Sequence, residues 1–373
     1  MDKLVIIHFL PLENYPPGMN LTRLLSDQQR HQGPITILTT KGYRPKKTFS
    51  ASGIRIRRLA TWKANINSFE RGWLYLKFNA RAIWNLIRIR PKKILYVETL
   101  SSFPVSVYAN LFPGKAQIYI HYHEYTSIPE YLKGMMLSRF FHQLELKLYK
   151  KATWVSHTNH DRGGLFMKDL GVYAPSNMYT LSNYPPSSWI QQSRASDQRT
   201  PIRFVYVGAL SLETMYVKQW AKFISAHPEM FSWDIYSDNH TREAMSWISE
   251  LNASNIFFKG GVDYDELSKI LPEYDVGLIL YNGHIPNYIY NAPNKLFEYH
   301  ACGLDTFFPV IMKGCEPYIT KNTFPVIIQL DFEKLDTAVV VQSLNKSGLQ
   351  YRPSPYFCEK NLRVLTDQLL ENV

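Results

Sequence analysis

The run from Tyr290 to Gly303, YNAPNKLFEYHACG, has residue types and spacing suited to holding a charged ligand. Pro293 suits the first turn of a helix, because its missing N–H had no partner there anyway. The amides that follow, at Asn294 and Lys295, point beyond the helix start and make a ready anion site. Glu298 falls about one and a half turns further on, and Gly303 stands where a helix closes. A diphosphate at the helix start and a sugar on Glu298 describe one ligand, a nucleoside diphosphate sugar. A carboxylate accepts hydrogen bonds from two vicinal hydroxyls, as a ribose would require. A capped surface helix with one acidic residue is the plainer reading of the same spacing.

A second centre is Ile120–Glu124, IHYHE. His121 and His123 flank Tyr122 at a strand end, so both side chains can face the same way. Histidine can act as acid or base near neutral pH, or hydrogen-bond a sugar. Glu124 adds a carboxylate there, or is a plain surface residue. His157, His160 and Asp161 look metal-like, but no further ligand stands at a matching spacing, and they read as surface residues. Cys302, Cys315 and Cys358 form no even framework and no C-x-x-C pair, which argues for a reducing compartment and against zinc. No Asp-x-Asp pair stands out as a metal site.

The elements that must position these residues alternate short apolar runs with amphipathic stretches, the pattern of parallel sheets wrapped by helices. Strands are expected at 3–10, 34–39, 54–59, 93–97 (ending at Glu98), 117–121 and 153–157, with helices at 20–31, 73–89, 102–111, 133–151 and 162–170. A Pro- and Ser-rich stretch at 181–201 reads as a connection. The pattern then restarts: strands at 203–207, 233–236, 256–259, 276–281, 306–309 and 323–328, with helices at 217–227, 242–251, 263–271, 293–301 and 359–370. This predicts two α/β domains, 1–180 and 202–373, with the last helix able to pack back on the first. Ligands of such sheets sit outside the carboxyl ends of the strands, so a cleft with one substrate on each domain is expected.

From Pro293 to Gly303 the sequence resembles the two-domain GT-B glycosyltransferases of the nucleotide-sugar type, the bacterial polysaccharide group (group 1, GT4-like), with their S-P-x-K-L-F-E-Y-M-A-x-G pattern. Phe204–Gly208 resembles the strand and turn that open the donor domain, and Leu181–Pro185 the connection before it. Ile120–Glu124 resembles an Asp-x-His-Glu type segment of the acceptor domain. The resemblance implies an α/β GT-B fold with two Rossmann-like domains, the first binding acceptor and the second donor. It implies transfer of a hexosyl group from a nucleotide sugar to a hydroxyl of a glycan or lipid-linked glycan, as in cell-surface polysaccharide synthesis, with retention of configuration favoured. Carried over, Glu298 would bind the donor ribose, the amides at Asn294 and Lys295 the diphosphate, and Gly208 would admit the phosphates. Gly261 and Val262 would lie near the base, and His123 and Glu124 would face the transferred sugar or the acceptor hydroxyl. Gly18, in the turn Tyr15–Gly18, would approach the reaction centre. No cofactor or metal is expected beyond the nucleotide sugar itself. Two positions depart from the pattern. Tyr290 stands where many relatives carry a second Glu. The turn after Gly208 reads Ala209–Thr214, without the usual Arg and Lys that clamp the diphosphate; Lys218 and Lys295 are the candidates to replace them. A non-catalytic module and a nucleotide-sugar epimerase are the rival readings of one fold.

Charge bears on partners. Of the 42 Lys+Arg and 31 Asp+Glu in 373 residues, positions 1–190 hold 26 and 10. A basic first half points to anionic partners. The aromatic-basic stretch Arg71–Lys93 is expected to lie on an anionic membrane surface or to be an ordinary sheet-covering helix with a basic outer face. No nucleic-acid-binding module is visible. The start reads as a strand rather than a signal peptide, and no run reaches the roughly 20 apolar residues of a membrane span. The expectation is a cytoplasmic protein, peripheral on the inner face of the membrane.

Overall fold

A computed structural model describes residues 3–28, 34–42, 48–63, 66–134, 136–194 and 200–371. Contacts divide the chain into two units: Met1–Ser182 with Cys358–Val373, and Asn183–Phe357.

In the first unit the chain runs through β1 (Leu4–His8), α1 (Pro16–Gln28), β2 (Ile35–Lys41), β3 (Ile54–Thr61), α2 (Ser68–Ile89), β4 (Lys93–Val97) and α3 (Ser102–Leu111). It continues through β5 (Gln117–Tyr122), α4 (Ile128–Lys133), α5 (Met136–Tyr149), β6 (Trp154–His157), α6 (His160–Leu170) and β7 (Tyr179–Thr180). The parallel sheet has the order β3-β2-β1-β4-β5-β6-β7. Its central strands β1 and β4 are buried at every residue, as strands covered on both faces must be, and read as near-continuous apolar runs with one polar residue each, His8 at the end of β1 and Lys93 at the start of β4. Helix α2 is fixed at its start by a capping box between Asn67 and Glu70. Its inner face, Leu74, Tyr75, Phe78, Ala82 and Leu86, packs with Tyr108 of α3 and Phe141 of α5 over one face of the sheet.

The second unit runs β8 (Ile202–Val207), α7 (Val217–Ser225), β9 (Phe231–Tyr236), α8 (Arg242–Glu250), β10 (Ile256–Gly260), α9 (Tyr264–Ile270) and β11 (Val276–Leu278). Then come α10 (Pro286–Ile289), α11 (Asn294–Ala301), β12 (Asp305–Pro309), β13 (Thr323–Phe324), β14 (Ile327–Leu330), α12 (Thr337–Ser343) and β15 (Gln350–Tyr351). Its parallel sheet has the order β10-β9-β8-β11-β12-β14. Helix α13 (Cys358–Leu370) belongs to the first unit, where it packs beside α1. In both sheets the order reverses beside the first strand, at β1/β4 and at β8/β11, which are the positions where open α/β sheets hold ligands.

Several elements differ from the sequence expectation. Helix α1 begins at Pro16 rather than Asn20, so Gly18 lies in its first turn and not in a free turn; paired prolines suit a first turn, where no amide is needed. Residues 29–31 of the expected helix lie outside the described residues. The expected helix 133–151 is interrupted at Gly134, whose amide caps α4 on Glu130 O. The expected strand 323–328 is two strands in different sheets, separated by Pro325, which has no amide to give a ladder. Pro293 is the residue before α11, with φ −72° and ψ 156°, rather than its first residue. Buried His157 stacks on Tyr122, with ring centroids 5.1 Å apart, and is not a surface residue.

Candidate functional site

In the second unit the motif forms one short helix pinned over strand ends. Tyr299 lies so close to β11 that a Cβ on Gly277 would come within 2.2 Å of its ring. Its hydroxyl accepts the Val207 amide at 3.0 Å, tying α11 to the carboxyl end of β8. Phe297 points the other way and packs edge-on to Tyr184 and Tyr318 at 4.6 and 4.8 Å. Gly303 closes the helix, with Leu304 N on Tyr299 O at 2.9 Å. Within α11, Leu296 N donates to Pro293 O at 3.0 Å, so the amides of Asn294 and Lys295 point out of the helix start.

Lys295 and Glu298 are three residues apart and share a helix face. The Lys295 ammonium lies over the rings of Tyr206 and Tyr281, 5.3 and 5.4 Å from their centroids. It also covers the turn after β8: a Cβ on Gly208 would fall 2.8 Å from Lys295 Nζ. A lysine tip can move, but Gly208 has φ +133°, a conformation closed to most side chains. Burial works against the charge of Lys295, yet the phenol oxygens of Tyr206 and Tyr281 and the Glu298 carboxylate hold its pKa above the ordinary value. It is a cation at neutral pH. Glu298 is 5% exposed, and no described residue donates a hydrogen bond to its carboxylate. Burial pushes its pKa up to about 7, against the pull of Lys295. Its oxygens are therefore left to accept hydrogen bonds from a ligand.

Other expected donor residues fall around this helix. Gly208 N donates to Tyr236 O at 2.9 Å, joining the ends of β8 and β9. Val262, just past β10, packs with Val207, Tyr236 and Tyr299 in one apolar cluster. Tyr290 ends α10, its carbonyl pressed against Gly314, where a Cβ would come within 2.4 Å. Lys218 lies over the Trp247 ring at 6.0 Å, on α7. Of the two candidate replacements for the missing cations, Lys295 is the one at the Gly208 turn.

In the first unit the site is assembled by register. His8, Val97, His121 and Ser156 stand opposite one another across β1, β4, β5 and β6 and so share a sheet face. His121 Nδ1 pairs with Ser156 Oγ at 2.8 Å. His123 follows immediately, its ring 4.6 Å from His121 and 6.3 Å from His8. Tyr15, just before α1, closes the group at 4.4 Å from His8 and 5.6 Å from His123. The first turn of α1, with Gly18, thus adjoins the histidines. Burial holds His8 down to about 3, with His123 adding to the shift, and it lowers His121 as well. These imidazoles are neutral at physiological pH. Glu124 is exposed, beside Tyr15, while His123 is buried and its carbonyl accepts Arg162 Nη1 at 2.8 Å.

Sequence reasoning missed Glu98 as a site residue. Its Oε1 accepts the amides of both His123 and Glu124, at 2.7 and 3.1 Å, and its own amide donates to His121 O at 3.0 Å. Its backbone has φ 65° and ψ 153°, a region nearly confined to glycine. Burial first, and the Glu124 charge second, push its carboxyl up to about 8. The only signal available was its place directly after a parallel strand. Gly277 was missed too, for its need appears only once α11 lies on β11. Among the described residues no group of three or more His, Cys, Asp or Glu could hold a metal ion.

No family model matches the sequence, and no curated protein does. Solved structures match its fold over the full chain. Sucrose-phosphate synthase from Thermosynechococcus elongatus is 13% identical with a TM-score of 0.68, covering 100% of this chain and 95% of that one. Anabaena HepE in complex with UDP-glucose is 9% identical with a TM-score of 0.63, covering 100% and 96%. A putative UDP-N-acetylglucosamine 2-epimerase from Listeria monocytogenes is 10% identical with a TM-score of 0.57, covering 100% and 97%. At such identities the likeness is one of fold: two Rossmann-like units with all-parallel main sheets, the GT-B architecture.

Proposed function

We propose that this GT-B chain transfers a hexosyl group from a nucleoside diphosphate sugar to a hydroxyl of a glycan or lipid-linked glycan, as in cell-surface polysaccharide synthesis. The observation that carries the reading is the start of α11. There a lysine ammonium covers the Gly208 turn, two amides point outward, and a buried Glu298 carboxyl has no donor among the described residues. The solved likeness to a protein holding UDP-glucose supports it. In this reading the second unit binds the donor. The amides of Asn294 and Lys295, with the Lys295 cation, hold the diphosphate and stabilise its charge as it leaves. Glu298 accepts the ribose hydroxyls, Val262 borders the base, and Tyr290 takes the place of a second carboxylate. The first unit binds the acceptor and supplies His123 and Glu124 beside the transferred sugar, with the Gly18 turn next to them. Transfer proceeds with retention and without a metal. The protein works in the cytoplasm, peripheral to the inner face of the cell membrane; among the described residues no helix is long and apolar enough to cross it.

The likeness to a putative epimerase favours one second reading, conversion of the nucleotide sugar with no acceptor. A panel of nucleotide sugars, tested first for thermal stabilisation and then for turnover, separates the two. A ligand at 100 times its Kd should stabilise the chain by about 2.7 kcal/mol. Release of nucleoside diphosphate that depends on added acceptor supports transfer. Sugar isomerisation without acceptor supports the epimerase. Absence of stabilisation by every member removes both.

A further inference from the structure

The outer face of α2 is apolar where a sheet-covering helix is ordinarily polar. Phe69, Trp73, Leu76 and Trp84 are 84, 62, 57 and 65% exposed. Their spacing, with exposed Ala80 between Leu76 and Trp84, sets them on one stripe of the helix, running about 22 Å along it. The opposite stripe is already buried in the core, so this helix has two apolar faces and only one is covered.

The stripe has a charged shoulder that is mainly basic. Lys77 and Arg88 are exposed on α2, and Arg81 reaches back to the Leu59 carbonyl. The one acid of the helix, Glu70, is spent on the capping box at its start. A second exposed apolar group lies on the same side of the sheet, at the α4–α5 corner, where Met136 and Phe140 stand beside exposed Lys133 and Arg139. Phe140 packs on Phe103 of α3, the helix that lies between α2 and α5. Helices of such crossovers run against their strands, so the starts of α2 and α5 both lie toward the carboxyl edge of the sheet, the edge that carries His123 and Glu98.

We infer that this face is a docking surface for an anionic lipid bilayer, with α2 lying flat in the headgroup region. Aromatic side chains on one stripe with basic residues at its shoulder are the composition of an interfacial helix. A second copy of the chain fits less well, because pairing this face with itself would set Lys77, Arg81 and Arg88 against the same cations, offset by a single exposed acid of α2, Glu70, whose carboxylate already accepts the Asn67 amide. The assignment rests on the peripheral-membrane part of the proposed function and names the surface that part requires. The start of the lipid-facing stripe lies toward the edge of the first unit that carries the histidines, where a lipid-linked acceptor would be presented.

The test is flotation of the full chain with phosphatidylglycerol vesicles and with phosphatidylcholine vesicles, at low and high salt. Wild type should float with the anionic vesicles at least tenfold better, and the excess should vanish in high salt. The variant Trp73→Ser/Trp84→Ser should lose at least tenfold in flotation, and Lys77→Glu/Arg88→Glu should lose the preference for anionic lipid. Both should keep the wild-type melting temperature and its shift with nucleotide sugar. If wild type floats but both variants float equally well, the face is misassigned while peripheral attachment stands. If wild type floats with neither lipid, attachment and face fall together. A concentration-dependent dimer by light scattering, broken by the tryptophan variant and without flotation, would overturn the lipid in favour of a second copy. Loss of the nucleotide-sugar shift in wild type would refute donor binding and leave the flotation result untouched.

Discussion

The two centres differ in how their groups are brought together. In the second unit Asn294, Lys295 and Glu298 lie within five consecutive residues of one helix, and the fold has only to lay that helix over Gly208 and Gly277. In the first unit His8, Glu98, His121 and His123 come from the ends of three strands and meet only because the register aligns them. The charge differs as well. The α11 site centres on a cation whose pKa is raised, beside a carboxyl near 7. The strand-end site holds His8 and His121, kept neutral by burial. A permanent cation suits binding a diphosphate, whereas neutral imidazoles and a poised carboxyl suit proton movement or hydrogen bonding to hydroxyls. The comparison therefore predicts that damage to the first centre appears in turnover and damage to the second in donor affinity.

The largest effect should come from His123→Ala and Glu124→Ala. Each is expected to lower kcat by ~10²–10⁴-fold, with nucleotide diphosphate affinity near wild type. Wild-type turnover of both variants with the true acceptor would remove the first centre from the chemistry.

Next comes Glu98→Gly. Glycine accepts the φ of 65° but removes the acceptor for the two amides of His123 and Glu124. Melting temperature should hold or rise while kcat falls by up to about 10²-fold, as expected when a reacting group is misplaced. Glu98→Gln, which keeps an oxygen acceptor, should recover much of the rate. A parallel loss of stability and rate in Glu98→Gly would reduce Glu98 to a structural residue.

For the second centre, Glu298→Ala and Lys295→Met should each weaken nucleoside diphosphate by ~1.5–3 kcal/mol, the worth of a charged hydrogen bond. Calorimetry of the folded variants decides it, and unchanged affinity in both would detach α11 from the donor. A smaller effect follows from the raised pKa of Glu298. In the folded chain it holds its proton up to about 7, against an ordinary 4.5. Its contribution to stability is present below 4.5 and is lost as pH rises through 7. The gap in melting temperature between Glu298→Gln and wild type should therefore move in favour of the variant from pH 4.5 to pH 8. A gap that stays constant would mean an ordinary carboxyl. The smallest expected effect is none at all: turnover should survive EDTA, and metal-restorable loss would give the leaving group a different partner.

Much of this was legible in the sequence for a physical reason. Alternating apolar runs report burial directly, so the sheets and most helices could be read, and Pro293–Gly303 carried its start, charge and stop in one line. What depends on register or close approach was not legible. Glu98 looks like any acid after a strand until its amide and carboxyl are seen to hold β5. Gly277 looks like a weak point in a strand until Tyr299 lies on it. His157 was misread as a surface residue because neighbouring His160 and Asp161 are polar, whereas the strand end before them is covered by Tyr122 and Phe166. The stretch Arg71–Lys93 was open to two readings, a membrane-surface helix or a sheet-covering helix with a basic outer face, and the exposure of Trp73 and Trp84 shows the basic residues to be the shoulder of an apolar stripe.

Helix α13 has a consequence for the order of events on the ribosome. Buried Lys93, at the start of β4, donates to the carbonyls of Gln368 and Glu371, and Asn361 Nδ2 donates to Ser182 O at 2.7 Å. The first unit is thus sewn shut by residues made after the whole of the second. The first unit stays without its closing helix beside α1 until residues 358–370 are free to pack, after the whole of the second unit has been made. The early half of the chain must wait with an open seam for its last 16 residues, Cys358–Val373. A released chain ending at Phe357 should therefore yield a protease-resistant second unit and a protease-sensitive first one, the reverse of the order in which they were made.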